Sequence, residues 1–171
     1  MKMKLEHSFY VEPTGLAKGL LLWWTKDTQI KILQYGKHFI DTLISSKGEA
    51  KWFGTFIYGP PYKEEKREFW ELMMNLRNSL GDRWLVMGDS NIMSSQEEKL
   101  GGVPFKPNEA RCFFEFIDAV GLIDLPICRG TFMWSNQRSD EEAILEKLDR
   151  AYAPLSGICF FLKPWRCWTL P

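Results

Sequence analysis

Apolar and polar positions over the first sixty residues alternate with the short periods that are typical of β-strands. The two prolines Pro60 and Pro61 then interrupt the pattern, because proline cannot donate a hydrogen bond to a sheet ladder. The pattern predicts four strands before any helix. These strands are predicted at residues 19–24, 30–35, 39–44 and 51–58.

The hydrophobic period then changes to that of helices. Apolar residues between 69 and 80 predict a helix with a charged, solvated start at residues 63–68 and an end at Gly81. A second helix is predicted to begin at Asn108, a residue type that caps helices, and to end at Gly121. Short strands are predicted at residues 84–87, 122–125, 131–134 and 145–152.

This order of elements is a mixed α/β arrangement and not a regular βαβ alternation. It predicts two packed mixed β-sheets flanked by helices. The length of 171 residues fits one domain, which we place at residues 1–153. Residues 154–171 are apolar and aromatic without a clear period, so we treat them as a divergent tail that could hold a closing strand.

Composition excludes several classes of protein. Because 45% of the residues are hydrophobic and the net charge is zero, intrinsic disorder is not expected, nor is a domain that grips nucleic acid mainly by charge. An enzyme that touches a few phosphates is still allowed. No signal-peptide pattern or membrane-length apolar run is present, which predicts a soluble intracellular protein. The four cysteines lack metal-ligand spacing with His7 and His38, so we expect buried free thiols.

Candidate chemistry lies where the strand at residues 84–87 ends. If the backbone stays extended there, Asp89 and Asn91 point to the same spot. The Asp89 carboxylate could then deprotonate water, and the Asn91 amide could donate to a phosphate oxygen. The alternative is an ordinary turn, because glycine, aspartate, serine and asparagine are common turn residues.

Two other polar residues are weaker candidates when each is considered alone. Tyr58 ends the fourth strand, and its hydroxyl could bind a phosphate or could belong to a half-buried strand aromatic. Asp149 lies inside a strand-like segment, where a surface salt bridge to Lys147 or Arg150 is the simplest alternative.

Six segments together, in their order and spacing, resemble the LINE-type endonuclease domain of non-LTR retrotransposons. This domain belongs to the DNase I-like (endonuclease/exonuclease/phosphatase) superfamily. The resemblance runs from about Phe9 to Ala153. The segments are Pro13–Trp23, Thr55–Pro61, Trp84–Asn91, Gly121–Leu125, Gly130–Asn136 and Lys147–Arg150.

The resemblance implies an Mg²⁺-dependent site that cleaves a phosphodiester of DNA, the ancestral substrate. It implies Asp89 as the base, Asn91 and Tyr58 as groups on the phosphate side, and Asp149 as the residue that holds a catalytic histidine. It also places three residues on a hairpin near the DNA, namely Thr131, Trp134 and Asn136. The family's reverse transcriptase module is absent from this sequence.

The sequence also departs from the family pattern. The family's metal-binding Glu and its Ser-Asp-His motif have no counterpart here, and Ser90 stands where the family most often has Phe. We therefore expect an incomplete domain with impaired catalysis and doubtful Mg²⁺ binding. Two other hypotheses are kept: an active enzyme with a substitute ligand, and a non-catalytic module that binds a protein partner. The substitute ligands considered are Glu97, Glu98 and Asp124, and the partner-binding aromatics are Trp165 and Trp168.

Overall fold

The computed structural model describes residues 5–14, 19–77, 82–126 and 132–162. The strands are β1 (His7–Val11), β2 (Leu20–Trp24), β3 (Thr28–Gly36), β4 (Phe39–Ser46), β5 (Trp52–Tyr58), β6 (Trp84–Asp89), β7 (Lys99–Leu100), β8 (Leu122–Asp124), β9 (Trp134–Ser135), β10 (Leu145–Glu146) and β11 (Asp149–Pro154). The α-helices are α1 (Lys63–Arg77), α2 (Arg111–Val120) and α3 (Ile158–Leu162). Short 3-10 turns occupy Gln96–Glu98, Pro107–Glu109, Asp140–Glu142 and Leu155–Gly157.

A six-stranded mixed sheet with the order β3-β4-β5-β6-β11-β8 is the centre of the fold. Strands β5 and β6 are parallel and are connected through α1, whereas the other neighbours in this sheet are antiparallel. Helices α1 and α2 cover one face, where Trp70, Met73 and Phe116 pack against Trp84 and Tyr152. We call this side the helical face.

The opposite face of the sheet is covered by different elements near its two ends. The antiparallel hairpin β1–β2 packs Val11 and Leu22 against Ile40 of β4. Helix α3 packs Phe161 against Leu85 of β6. We call this side the hairpin face. A separate three-stranded sheet has the order β7-β10-β9. Its middle strand, β10, is followed two residues later in the chain by β11 of the main sheet.

The sandwich predicted from the sequence is confirmed, as are its main strands and helices. Gly121 ends α2 in the left-handed conformation, with a φ of 67°. The expected end of α1 at Gly81 lies outside the described residues. Within the tail, the described part forms a 3-10 turn and α3 and contains no closing strand.

Three details of the predicted elements are wrong. Asn108 does not cap α2, because residues Pro107–Glu109 form a 3-10 turn and the helix begins at Arg111. The predicted strand at 145–152 is two strands in different sheets, β10 and β11. Strand β1 was not predicted, since its five residues mix polar and aromatic side chains next to a charged start.

The expectation of buried cysteines holds only in part. Both described cysteines are free, but Cys159 is exposed and Cys112 is partly buried. Cys159 lies on α3, where Phe161 and Ile158 occupy the side that packs on the sheet. Cys128 and Cys167 lie outside the described residues. No helix of the described chain is long and apolar enough to cross a membrane.

Candidate functional site

Three of the predicted site residues lie side by side across three strands. Tyr58 of β5 is opposite Asp89 of β6 in the parallel ladder, and Asp89 is opposite Asp149 of β11 in the antiparallel ladder. Residues directly opposite each other on neighbouring strands project from the same face of a sheet. We call Tyr58, Asp89 and Asp149 the row. Tyr58 is two residues beyond Phe56, which packs under the β1–β2 hairpin, so the row lies on the hairpin face.

Asn91 joins this row through a compact loop. Its backbone N–H donates to Oδ1 of Asp89 at 2.8 Å, and its side-chain Nδ2 donates to the Gly59 carbonyl at 2.6 Å. The φ of Asn91 is 48°, in the left-handed region. The backbone is therefore not extended from Asp89 to Asn91, and the turn that the sequence analysis kept as the alternative is the conformation observed. The two side chains are brought together by a turn that tertiary hydrogen bonds hold. We call Tyr58, Asp89, Asn91 and Asp149 the strand-end site.

Two glycines make this close packing possible. A Cβ at Gly59 would lie 2.2 Å from the Ser90 carbonyl oxygen, and a Cβ at Gly88 would lie 2.1 Å from the Ile57 carbonyl oxygen. Gly88 also has a φ of 135°, which side chains rarely allow. The Gly59 N–H donates to the Asp89 carbonyl at 2.7 Å, so the ends of β5 and β6 stay in contact.

Ser90 anchors the loop to the beginning of β11. Its backbone N–H and its hydroxyl both donate to the Leu148 carbonyl, each at 2.9 Å. The Ser90 side chain is buried, and its hydroxyl makes this polar contact within the protein interior. Because Leu148 precedes Asp149, this contact fixes the spacing of Asp89 and Asp149 along the row.

Burial affects one carboxyl group of the row and one nearby ammonium group. Burial raises the pKa of the Asp149 carboxyl, because a partly buried carboxylate loses solvation. Lys66 of α1 reaches the loop from the helical face and donates from Nζ to the Asn91 carbonyl at 2.7 Å. Burial lowers the pKa of the Lys66 ammonium, and Glu109, Glu146 and Asp89 are among the negative groups that oppose this shift.

His38 supports the row at Tyr58. The Tyr58 N–H donates to the His38 carbonyl at 2.9 Å, and His38 Nδ1 is 2.8 Å from the Tyr58 carbonyl. Nε2 of the same ring is 3.0 Å from Glu65, which also pairs with Lys37. The hydrogen bonds from Lys37 and then His38 hold the pKa of Glu65 below its usual range. His7 stacks on Trp24, so neither histidine that the structure describes pairs with Asp149.

The acidic residues considered as substitute metal ligands have other partners. Arg150, which is 3% exposed, donates to Glu98 and to Asp124, the latter at 2.6 Å. Lys147 also pairs with both carboxylates. Lys147 and Arg150, the salt-bridge partners considered for Asp149, therefore pair with Glu98 and Asp124 instead. The remaining candidate is the exposed Glu97, which hydrogen-bonds to Ser95.

The predicted DNA-facing hairpin is formed by β9 and β10. Trp134 is 42% exposed. Asn136 closes the loop: its Nδ2 donates to the Glu142 carbonyl at 2.8 Å, and its Oδ1 accepts from the Ile144 N–H at 3.0 Å. The loop carries three acidic residues at 140–142, and Arg138 pairs with one of them. Thr131 lies outside the described residues.

The donor set of the row fits only one form of Mg²⁺ binding. Within the described residues, no three side chains of His, Cys, Asp or Glu group closely enough to hold a metal ion. Asp89 and Asp149 are two carboxylates that lie directly opposite each other on neighbouring strands. Mg²⁺ is often held by one or two carboxylates together with substrate phosphates and water. The residues present therefore fit an ion that arrives with a phosphate-bearing substrate.

Sequence reasoning missed two residues that contact the site, Lys66 and His38. We assigned Lys66 to the solvated start of α1, but a signal was present. Lys66 precedes Phe69 and Trp70 by three and four residues, which is the spacing of one helix face, and both aromatics are buried. His38 had no comparable signal, because its contacts depend on how β4 and β5 pair.

Comparison with known proteins supports the fold. No family model matches the chain, and no curated protein matches its sequence significantly. A solved structure of the endonuclease domain of TRAS1, a telomere-specific non-LTR retrotransposon, is 14% identical with a TM-score of 0.66, over 89% of this chain and 69% of that one. TDP2 from C. elegans is 14% identical with a TM-score of 0.50, over 88% of this chain and 48% of that one. The chain therefore has the DNase I-like fold that its motifs predicted.

Proposed function

We propose that the chain is a nuclease-type domain of retrotransposon origin that acts on the phosphodiester backbone of DNA through the strand-end site. The observation that carries this proposal is the row of Tyr58, Asp89 and Asp149, with Asn91 tied to Asp89 at one end of the sheet. The likeness to the TRAS1 endonuclease domain supports the lineage.

Each residue of the row has a chemical role that suits this reaction. The Asp89 carboxylate accepts a proton from a water molecule whose oxygen bonds to phosphorus; the bond from phosphorus to one sugar oxygen breaks, and that leaving oxygen takes a proton from solvent. Asn91 keeps a second amide N–H beyond the one that binds Gly59, and this N–H and the Tyr58 hydroxyl can donate to phosphate oxygens. Asp149 places a second carboxylate beside Asp89. Mg²⁺, when bound by these carboxylates and the substrate, would offset the negative charge of the phosphate.

We propose further that catalysis by this chain is slow. The neighbouring acids Glu98 and Asp124 are neutralised by Arg150 and Lys147 and do not join the row. Catalytic sets act as a unit, so a set in which fewer groups cooperate typically loses orders of magnitude in rate.

A second candidate function is supported by a different surface. The outer side of the β1–β2 hairpin exposes Tyr10, Leu21 and Trp23, each more than half accessible. Exposed aromatics of this kind are enriched at protein interfaces. We therefore keep a non-catalytic interaction module as the alternative. Trp165 and Trp168, which the sequence suggested for this role, lie outside the described residues.

Nicking of supercoiled plasmid by the purified chain tests the primary proposal. We expect slow nicking with Mg²⁺, none with EDTA, and at least a tenfold loss in Asp89→Ala, while the exposed turn variant Asp27→Ala keeps the wild-type rate. Nicking that survives in Asp89→Ala would contradict the assigned base. If the folded wild type neither nicks nor binds DNA, the interaction module is the better hypothesis.

A further inference from the structure

Lys66 is a charged residue in an unusual place for the start of an amphipathic helix. It lies on the same side of α1 as Phe69, Trp70 and Met73, which are all buried in the helical-face core. Placing an ammonium group there costs solvation, and burial accordingly lowers the pKa of Lys66. Lys66 is partly buried, so its aliphatic stem can pack along the apolar side of the helix while its ammonium group reaches a polar partner.

That polar partner is the Asn91 carbonyl, which accepts from Lys66 Nζ at 2.7 Å. Asn91 adopts a left-handed backbone that costs energy for a residue with a side chain, although asparagine tolerates it better than most. A hydrogen bond from a charged donor is stronger than one between neutral groups. The Lys66 contact therefore stabilises the one strained position of the strand-end site from outside the sheet.

Asn91 also makes the hydrogen bonds that join the loop to the ends of β5 and β6. Its N–H orients Asp89, and its side chain binds Gly59, whose own N–H returns to the Asp89 carbonyl. The carbonyl that Lys66 binds belongs to the Asn91–Ile92 peptide, and the N–H that binds Asp89 belongs to the Ser90–Asn91 peptide. The two peptides meet at the Asn91 α-carbon, so a change in its φ or ψ angle would disturb this hydrogen bond to Asp89 and the position of the Asn91 amide. The orientation of both side chains therefore depends on the contact that Lys66 makes.

We propose that Lys66 is a positioning residue of the strand-end site: it holds the Asn91 backbone in the left-handed conformation and thereby fixes Asp89 and Asn91 for substrate. This inference rests on the proposed function for its purpose, but not for its structural content. It assigns to α1 a part in the site in addition to covering the sheet.

Amide hydrogen exchange measured by NMR on the intact chain tests the proposal residue by residue. In Lys66→Met we expect the Asn91 amide to exchange about tenfold faster, the factor that corresponds to about 1.4 kcal/mol, while the Val86 amide in the middle of β6 keeps its wild-type rate. Lys66→Arg should restore slow exchange at Asn91, since it keeps a charged donor. Lys63→Met, an exposed residue of the same helix, should change neither amide.

Two results would overturn the proposal. Unchanged exchange at Asn91 in Lys66→Met would show that the contact does not hold the loop. Equal loss of protection at Asn91 and Val86, or a variant that fails to fold, would show that Lys66 serves global stability and not the site. Plasmid nicking by the same proteins separates the two proposals. A wild type that neither nicks nor binds DNA refutes the function, whereas the exchange pattern still decides the role of Lys66.

Discussion

Replacing Arg150 by methionine should destabilise the fold by about 3 kcal/mol, the lower end of the range for breaking a buried ion pair. Arg150 is 3% exposed, and its guanidinium group holds Glu98 and Asp124 together with the Ser94 hydroxyl at 3.3 Å. The Glu98 side chain is 13% exposed and the Asp124 side chain 33% exposed. Solvent therefore screens the second pair more strongly, and most of the loss comes from the first.

Equilibrium unfolding in urea measures this loss as a lower midpoint at a constant slope. Glu98→Gln should cost more than Asp124→Asn, and the double variant Arg150→Met with Glu98→Gln should recover part of the stability, because no unpaired charge is left buried. Arg138→Met is the matched control, since Arg138 forms an exposed pair with Glu142 and surface pairs contribute little. An Arg150→Met midpoint close to that of the control would refute the account of this network.

Three further predictions concern single residues. Burial raises the pKa of Asp41, so the carboxyl group of Asp41 binds a proton more tightly in the folded state than in the unfolded state. The protonated carboxyl therefore contributes stability at low pH, and this contribution is lost as the pH rises from about 4 towards neutrality. Asp41→Asn should therefore raise the urea midpoint at pH 7 and flatten its pH profile, and identical profiles for the two proteins would contradict this. Gly59→Ala should cost about 1–3 kcal/mol by the same assay, because its Cβ meets the Ser90 carbonyl; a neutral change would mean that the loop yields easily. In the native protein, the exposed Cys159 should react with a thiol reagent faster than Cys112, as peptide mapping would show, and the reverse order would argue against the placement of α3.

The strands of the main sheet were predictable because their apolar runs are long and end at clear breaks. Two strands joined by a helix favour a parallel ladder, and the observed register of β5 and β6 brings Tyr58 next to Asp89. The position of Asp149, the third member of the row, was harder to predict. Asp149 begins β11, but residues 145–152 have the pattern of a single strand, and only pairing with two different sheets divides them.

The choice between a turn and an extended backbone at Asn91 could not be made from local pattern. Both conformations can bring Asp89 and Asn91 to one side, although glycine, serine and asparagine are common turn residues and asparagine tolerates the left-handed conformation. The conformation is selected by tertiary contacts with Gly59 and Lys66, which are 32 and 25 residues away in the chain. Such contacts leave only faint traces in a single sequence, for example the position of Lys66 on the apolar side of α1.

Whether DNA phosphate meets the strand-end site can be measured most directly by titrating the isotope-labelled chain with a short DNA duplex in Mg²⁺ and following its backbone amides by NMR. Our account predicts that the largest chemical-shift changes lie at Gly59, Ser90 and Asn91, and that Asp89→Ala reduces them. Changes confined to the β1–β2 hairpin, with none at the strand ends, would contradict it.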